Sequence, residues 1–250
     1  MIMEWKSLNK EKGRKMIKKI NSVEFIYKGK VNLDDTTKTR VQEYWQKIQQ
    51  EKDFLTETKI LIVSNFEIIR NNYTIELKET TFSNYMYAKE CGGDIRAMFS
   101  GAYILTEDQF VMCVLNNYYE NELEFETLNL VGGMSDAKDI INGMYSSEKC
   151  LKREFKEELG LNLEDDNWNI QLKYLKYPSE NENPVGYPIG TIYEIKTSYT
   201  KAQLEKMFEE SSHDNEVKEL IFFSKGTYKE IYNYEHKKTY LPELFKKIFK

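Results

Sequence analysis

What this chain lacks narrows the reading first. Its three cysteines, Cys91, Cys113 and Cys150, are scattered and odd in number, no CxxC pair occurs, and there are two histidines. That argues against a disulfide framework and against a structural zinc site. Proline is scarce at 4, and neither an internal repeat nor a low-complexity linker is visible. No apolar run approaches the ~20 residues that a membrane helix needs. The N-terminal stretch MIMEWKSLNKEKGRK has no apolar signal core. The default expectation is a cytoplasmic protein with no membrane partner. Charge of one sign is also missing: 36 basic residues stand against 41 acidic ones, net −5. That balance predicts no polyanion-binding surface and no nucleic-acid partner.

What is present is enough for a core. The 250 residues allow one large domain or two small ones, with 40% hydrophobic and 14% aromatic residues, 18 of them tyrosine. Such aromatic content argues against disorder. Strands are predicted over 23–33, 59–69 and 73–79, with Arg70-Asn71-Asn72 as a hairpin turn. Residues 35–52 read as a helix: Asp34 or Asp35 can cap it, and Val41, Tyr44, Trp45 and Ile48 share one face. A short helix is read over 81–90. After Gly92-Gly93 the strands become apolar and close together, at 97–105, 109–115 and 124–131, the last ended by Gly132-Gly133. A helix at about 147–159, strands at 169–177, 189–196 and 217–223, and helices at 200–211 and 226–249 complete the reading. This order predicts an α+β fold with a mixed sheet, and a boundary near residue 93. Residues 1–92 would be a small N-terminal α/β extension and 93–250 the main domain.

The stretch KREFKEELGL, Lys152 to Leu161, raises the chemical question. On a helix, Glu154, Glu157 and Glu158 stand at i, i+3 and i+4 and crowd one face. Leu151, Phe155 and Leu159 form the adjoining apolar face. Three adjacent carboxylates repel one another. A divalent cation would neutralise them, and oxygen donors suit Mg²⁺ or Mn²⁺. Gly160 suits a left-handed helix stop. Taken alone, such a cluster is more often solvated surface on a chain that is 31% charged.

The context changes those odds. REFKEELGL resembles the second half of the Nudix box, G-x5-E-x7-R-E-U-x-E-E-x-G-U with U apolar. Arg153, Glu154, Glu157, Glu158 and Gly160 match its fixed positions, and Phe155 and Leu161 its apolar ones. Chance would give this in on the order of one chain in ten thousand or fewer at average residue usage. Upstream, LNLVGGM (Leu128 to Met134) is similar to the strand and double glycine that open the box. The resemblance implies a Nudix fold, a mixed β-sheet sandwiched between α-helices, over about residues 96–225.

The front half of the box departs from the pattern. Gly133 lies about twenty residues before Arg153, roughly six more than the pattern has, and Tyr145 occupies the place of the first box glutamate. That glutamate normally supports the arginine, and Asp136, Asp139 and Glu148 are the alternatives here. Ser146 or Ser147 can cap the helix, with Glu148 in its first turn.

The resemblance implies hydrolysis of a nucleoside diphosphate linked to another group. Mg²⁺ or Mn²⁺ would be held by Glu154, Glu157, Glu158 and the carbonyl of Gly133. Bound cations neutralise phosphate charge and lower the pKa of bound water. Arg153 would orient a box carboxylate. The general base comes from the box in some family members and from a loop before a late strand in others. SSHDNEVKELIFF (Ser211 to Phe223) resembles that loop, so Glu216 and Asp214 are candidates beside Glu154 and Glu157, with His213 nearby; a plain polar turn explains HDNE equally well. Arg96 precedes a core strand, where it can meet phosphate or sit as a solvated arginine. Trp168, Tyr174, Tyr177 and Tyr187 are candidates to stack a base, although packing is the commoner use.

The N-terminal order, with VQEYWQKI and then two strand-like runs, looks like Nudix hydrolases that cleave UDP-glucose and UDP-galactose. Stability or homodimerisation would explain such an extension equally. The expectation is a pyrophosphohydrolase acting on a nucleotide sugar or another small nucleoside diphosphate derivative. An ADP-ribose or dinucleotide pyrophosphatase is the alternative within enzymes. A non-catalytic Nudix-fold nucleotide sensor is the alternative outside them.

Overall fold

The computed structural model describes residues 17–52, 55–93, 95–115, 127–177, 188–214, 216–225, 229–238 and 240–249. It begins with β1 (Ile17–Lys19), β2 (Ser22–Lys30) and α1 (Asp35–Glu51). Asp34 caps α1 by accepting a hydrogen bond from the Thr37 amide at 2.8 Å, and Val41 and Trp45 are its buried residues. β3 (Lys59–Ile69) and β4 (Asn72–Thr81) form the expected hairpin. Its turn residues, Arg70 and Asn71, have φ of 51° and 67°, the left-handed pair that matches the twist of a tight hairpin. α2 (Phe82–Glu90) follows, capped by Thr81. β2 runs parallel to β4, giving a three-stranded sheet in the order β2-β4-β3.

The larger part contains β5 (Met98–Leu105), β6 (Gln109–Leu115), β7 (Thr127–Asn129) and β8 (Val131–Met134). A short hairpin follows, β9 (Ile140–Ile141) and β10 (Met144–Tyr145), and then α3 (Ser147–Leu159). β11 (Trp168–Lys176), β12 (Ile189–Thr197), α4 (Lys201–Glu210) and β13 (Val217–Ser224) come next. α5 (Lys229–Asn233) and α6 (Leu241–Ile248) end the described chain. The main sheet runs β1-β11-β12-β5-β6-β13, with β8 paired to β5 and β7 to β6. β12 is parallel to β5, and the other pairs are antiparallel.

The period of two along β5 explains the layering. Ala102 and Ile104 face a core with Leu151, Phe155 and Leu159 of α3 and Leu204 and Phe208 of α4. Tyr103 and Leu105 face the opposite core with Ile231, Leu241, Leu244 and Phe245 of α5 and α6. The fold is thus α+β, a mixed sheet between helices with an N-terminal extension. β1 belongs to the main sheet through β11. β3 donates from the Leu61 amide to the Ser135 carbonyl at 2.9 Å and from the Val63 amide to the Arg96 carbonyl at 2.8 Å. The change of sheet near residue 93 is therefore crossed by backbone hydrogen bonds.

Two expectations need correction. Gly132-Gly133 do not end a strand; they lie inside β8. Of the run expected over 124–131, residues 124–126 lie outside the described residues and the rest is interrupted at Leu130. Among the described residues, the single helix expected over 226–249 is two short ones, with Pro242 in the first turn of α6. Proline there lacks an amide that the first helical turn would leave unbonded anyway, so it marks a start and not an interior.

Candidate active site

α3 forms where the sequence places it. Ser146 caps it by accepting from the Lys149 amide at 3.2 Å, and Gly160 ends it at φ 66°. Leu151, Phe155 and Leu159 are fully buried, which turns the adjoining acidic face toward β8. There Glu158 Oε2 accepts from the Gly132 amide at 2.9 Å. Glu154 lies against Gly133, where an added Cβ would fall 2.5–2.8 Å from its carboxylate atoms. Gly133 is therefore the residue that lets helix and strand approach. Gly132 has φ 131°, and a Cβ there would overlap the Ser100 carbonyl oxygen.

Arg153 organises the front of the site. Its Nε and Nη2 donate to Asp139 Oδ1 and Oδ2 at 3.2 and 3.1 Å, and Nη2 also reaches the Met134 carbonyl at 3.0 Å. Its Nη1 lies 2.7 Å from Glu154 Oε1 and 2.8 Å from Glu157 Oε2. Asp139 is fully buried and accepts from the Asp136 amide at 2.8 Å. Of the three alternatives for the missing box glutamate, Asp139 is the one that reaches the arginine. Tyr145, at the place of the first glutamate in the box pattern that the sequence resembles, is buried instead, with its hydroxyl paired to Ser135 and to Ser100. The inserted residues fold as the β9–β10 hairpin, turned at Asn142 and Gly143 with φ 50° and 78°.

Glu154, Glu157 and Glu216 share one cleft of about 560 Å³ with Gly133, Met134 and Arg153. Burial pushes the Glu154 carboxyl up to about 7, against the pull of Arg153, and Glu157 and Glu216 add to the rise. Burial also pushes Glu158 well above the usual carboxylate range, with Glu216 and Glu154 adding and the Gly132 amide opposing. Glu216 is raised by burial and by Asp214, while Lys238 opposes. Burial first, and the neighbouring carboxylates second, hold these groups toward their neutral forms. Among the described residues no three candidate ligands are gathered tightly enough to hold an ion. Arg153 stands between the carboxylates of Glu154 and Glu157.

The other candidates fall in different places. The loop before β13 is tied to α3 by the Asp214 amide, which donates to the Glu157 carbonyl at 2.9 Å, and Asp214 accepts from the Glu216 amide at 3.0 Å. His213 stacks on Phe208 at 4.4 Å and does not line the cleft. Arg96 is buried at 6% exposure and does not line this cleft. Trp168 packs edge-on to Phe155, and Tyr177 tilts against Phe66 and Tyr73; both are buried in cores. Tyr174 is half-buried, packed against the core on the α5–α6 side of the sheet. Tyr187 lies outside the described residues.

One wall went unread in the sequence: Thr56, Thr58, Ile60 and Phe82 of the N-terminal extension line the cleft. No local motif marks them, because their place depends on β3 pairing beside the box loop.

No family model matches the sequence, and no curated protein matches it. Solved structures do resemble it. A NUDIX-family hydrolase from Clostridium perfringens shares 16% identity, covering 62% of this chain and 96% of its own, with a TM-score of 0.38. The NUDIX domain of Shewanella oneidensis NrtR, solved with ADP ribose, shares 12% identity over 60% of this chain and 84% of its own, at 0.42. A C. elegans Ap4A hydrolase shares 11% over 56% and 88%, at 0.34. The first two of these structures carry the NUDIX name.

Proposed function

We propose that this protein is a divalent-cation-dependent pyrophosphohydrolase. It cleaves the diphosphate of a nucleoside diphosphate derivative, such as a nucleotide sugar, to a nucleoside monophosphate and a phosphorylated product. The observation that carries the reading is the common cleft of Glu154, Glu157 and Glu216, with Arg153 braced behind them by Asp139.

The donor chemistry suits a hard cation: Glu154 and Glu157, with the Gly133 carbonyl and with Glu158 behind them, offer oxygen only, and a cation there would offset the cost of burying ionised carboxylates. Mg²⁺ or Mn²⁺ held there would neutralise pyrophosphate charge and acidify bound water. Arg153 fixes the carboxylates of Glu154 and Glu157 by its own bonds to Asp139 and to the Met134 carbonyl. Glu216, raised by burial and held by the loop bonded to α3, is placed to take a proton from an attacking water; Glu157 is the other candidate. Ile60 and Phe82 add apolar lining to the cleft.

The test is a substrate panel. UDP-glucose, ADP-ribose, NADH, Ap4A, GDP-mannose and nucleoside triphosphates are incubated with and without Mg²⁺, beside Glu157→Gln. The expected outcome is metal-dependent release of a nucleoside monophosphate that is lost in the variant. Nucleotide binding without turnover of any compound would overturn the enzyme in favour of a sensor.

A further inference from the structure

A row of buried hydroxyls lies beside β8. Thr191 of β12 and Ser100 of β5 stand opposite each other in the sheet, with their side-chain oxygens 2.9 Å apart. The Ser100 hydroxyl lies 3.2 Å from that of Tyr145, which also bonds the Ser135 hydroxyl. Ser100, Ser135 and Thr191 are fully buried, and Tyr145 nearly so. Ser135 directly follows β8; its amide donates to the Met98 carbonyl at 2.9 Å, and its carbonyl accepts from the Leu61 amide at 2.9 Å. Valine, alanine and phenylalanine would fill the same space without needing partners, so the hydroxyls point to a task beyond packing.

The row leads to α3 and from there back to β8. The Ser135 hydroxyl bonds the thiol of Cys150, which is fully buried. That thiol donates to the Gly133 carbonyl across 3.9 Å. A carbonyl only accepts, so the thiol hydrogen is committed to Gly133. The sulfur is left to accept, from Ser135 and from Arg153 Nη2 at 3.8 Å. Each hydroxyl has one hydrogen to give, so the remaining directions follow: Thr191 donates to Ser100, Ser100 to Tyr145 and Tyr145 to Ser135. Every hydrogen in the row thus points along it toward the Gly133 carbonyl. Side chains of α3 bond successive residues of β8: Glu158 the Gly132 amide, Cys150 the Gly133 carbonyl and Arg153 the Met134 carbonyl. Gly133 has no side chain to hold it, so such backbone bonds set where its carbonyl lies.

We infer that Tyr145 is a positioning residue for the cation site, its hydroxyl being the middle of a buried hydrogen-bond row that ends on the Gly133 carbonyl and fixes it for a metal ion. Tyr145 stands where the box pattern has its first glutamate. It acts there through hydroxyls and a thiol, while Asp139 takes the bracing of Arg153. Without the phenol hydroxyl, Ser135 loses its donor and the row loses its single direction. Neighbouring bonds in such a row polarise one another, so a loss in the middle is felt at the end. The inference rests on the proposed divalent-cation site, in which the Gly133 carbonyl is one of the oxygen donors.

The test reads metal binding and not turnover. Mn²⁺ is titrated into metal-free, full-length protein and followed by electron paramagnetic resonance, for the parent, Tyr145→Phe, Cys150→Ala and the double variant. Tyr193→Phe is the control, since it removes another buried tyrosine hydroxyl, one that bonds Ser147 at 2.6 Å outside the row. Tyr145→Phe is expected to weaken Mn²⁺ binding by about 10–100-fold, the usual cost of losing an outer partner of a metal ligand, whereas Tyr193→Phe stays close to the parent. The double variant should lose no more than the worse single one, because the row acts as a unit. If Tyr145→Phe fails to fold by circular dichroism, Cys150→Ala carries the same readout. Parental affinity in Tyr145→Phe, an equal loss in Tyr193→Phe, or losses that add in the double variant would overturn the inference. A parent that binds no Mn²⁺ overturns the cation site and the inference together. A parent that binds Mn²⁺ but turns over no compound of the panel overturns the enzyme alone.

Discussion

Asp139 and Arg153 meet through two hydrogen bonds, Nε to Oδ1 at 3.2 Å and Nη2 to Oδ2 at 3.1 Å, with Asp139 wholly buried. A carboxylate fourteen residues before the arginine, from a capped 3-10 turn and not from the box's own glutamate position, carries out the bracing. Asp139→Asn should lower turnover with KM little changed, because Arg153 bonds to the carboxylates of Glu154 and Glu157. It should also lower stability by about 1–3 kcal/mol, the usual cost of an impaired buried hydrogen-bond partner. Asp139→Glu, if it recovers the kcat but not the Tm, identifies the role as positioning. Steady-state kinetics and thermal melts check both.

The two glycines of β8 should fail differently. Gly133→Ala keeps an ordinary backbone, but its methyl group would displace the Glu154 carboxylate. The variant should fold and lose metal-dependent turnover by roughly 10²-fold or more. Gly132→Ala must hold φ near 131° and press on Ser100, so it should melt well below the parent protein. Circular dichroism beside the activity assay distinguishes them.

Glu157 is half-exposed, with 50% of its side chain in solvent. Glu157→Gln should therefore leave the Tm nearly unchanged while reducing turnover by about 10²–10⁴-fold, the range for losing a positioned acid–base group. A variant with parental activity would remove Glu157 from the site.

Without metal, stability should fall as pH rises. Glu154 ionises near 7 when folded, above its ordinary 4.5, so between those values the folded chain holds more protons than the unfolded one. Stability is then greatest below about pH 4.5 on this account and declines through pH 7, with Glu158 acting in the same direction. Global acid effects from other carboxylates act at lower pH, so melts between pH 5 and 8 in chelator isolate the trend. Adding Mg²⁺ should raise the Tm most at pH 8. A Tm that climbs from pH 5 to 8 in chelator would contradict the assignment.

Much of this was legible in the sequence because it is local. α3 runs from Ser147 to Leu159 as its caps and apolar face predict, and β3 and β6 match their expected bounds. The acidic triplet was readable from helical spacing alone. The partner of Arg153 was not, because three acids fit and only the turn before β9 decides among them. The cleft wall from Ile60 and Phe82 joins residues far apart in the chain. No periodicity encodes such meetings. β9 and β10 are two residues each, too short for an alternation to register, although Asn142-Gly143 is a recognisable hairpin turn.

That small hairpin separates length from chemistry. Asp139 is fixed just before it and Tyr145 just after it, the latter held by Ser100 and Ser135 and edge-on to Phe25 at 4.8 Å. Its outer residues, Ile141 and Met144, face solvent at 46% and 66% exposure. Residues added or removed at Asn142-Gly143 would be absorbed at the tip, and both anchors would keep their places. Sequences can thus drift in the number of residues between the diglycine and the arginine without moving a single carboxylate, and a strict count of that spacing would pass over a chain whose working parts are intact.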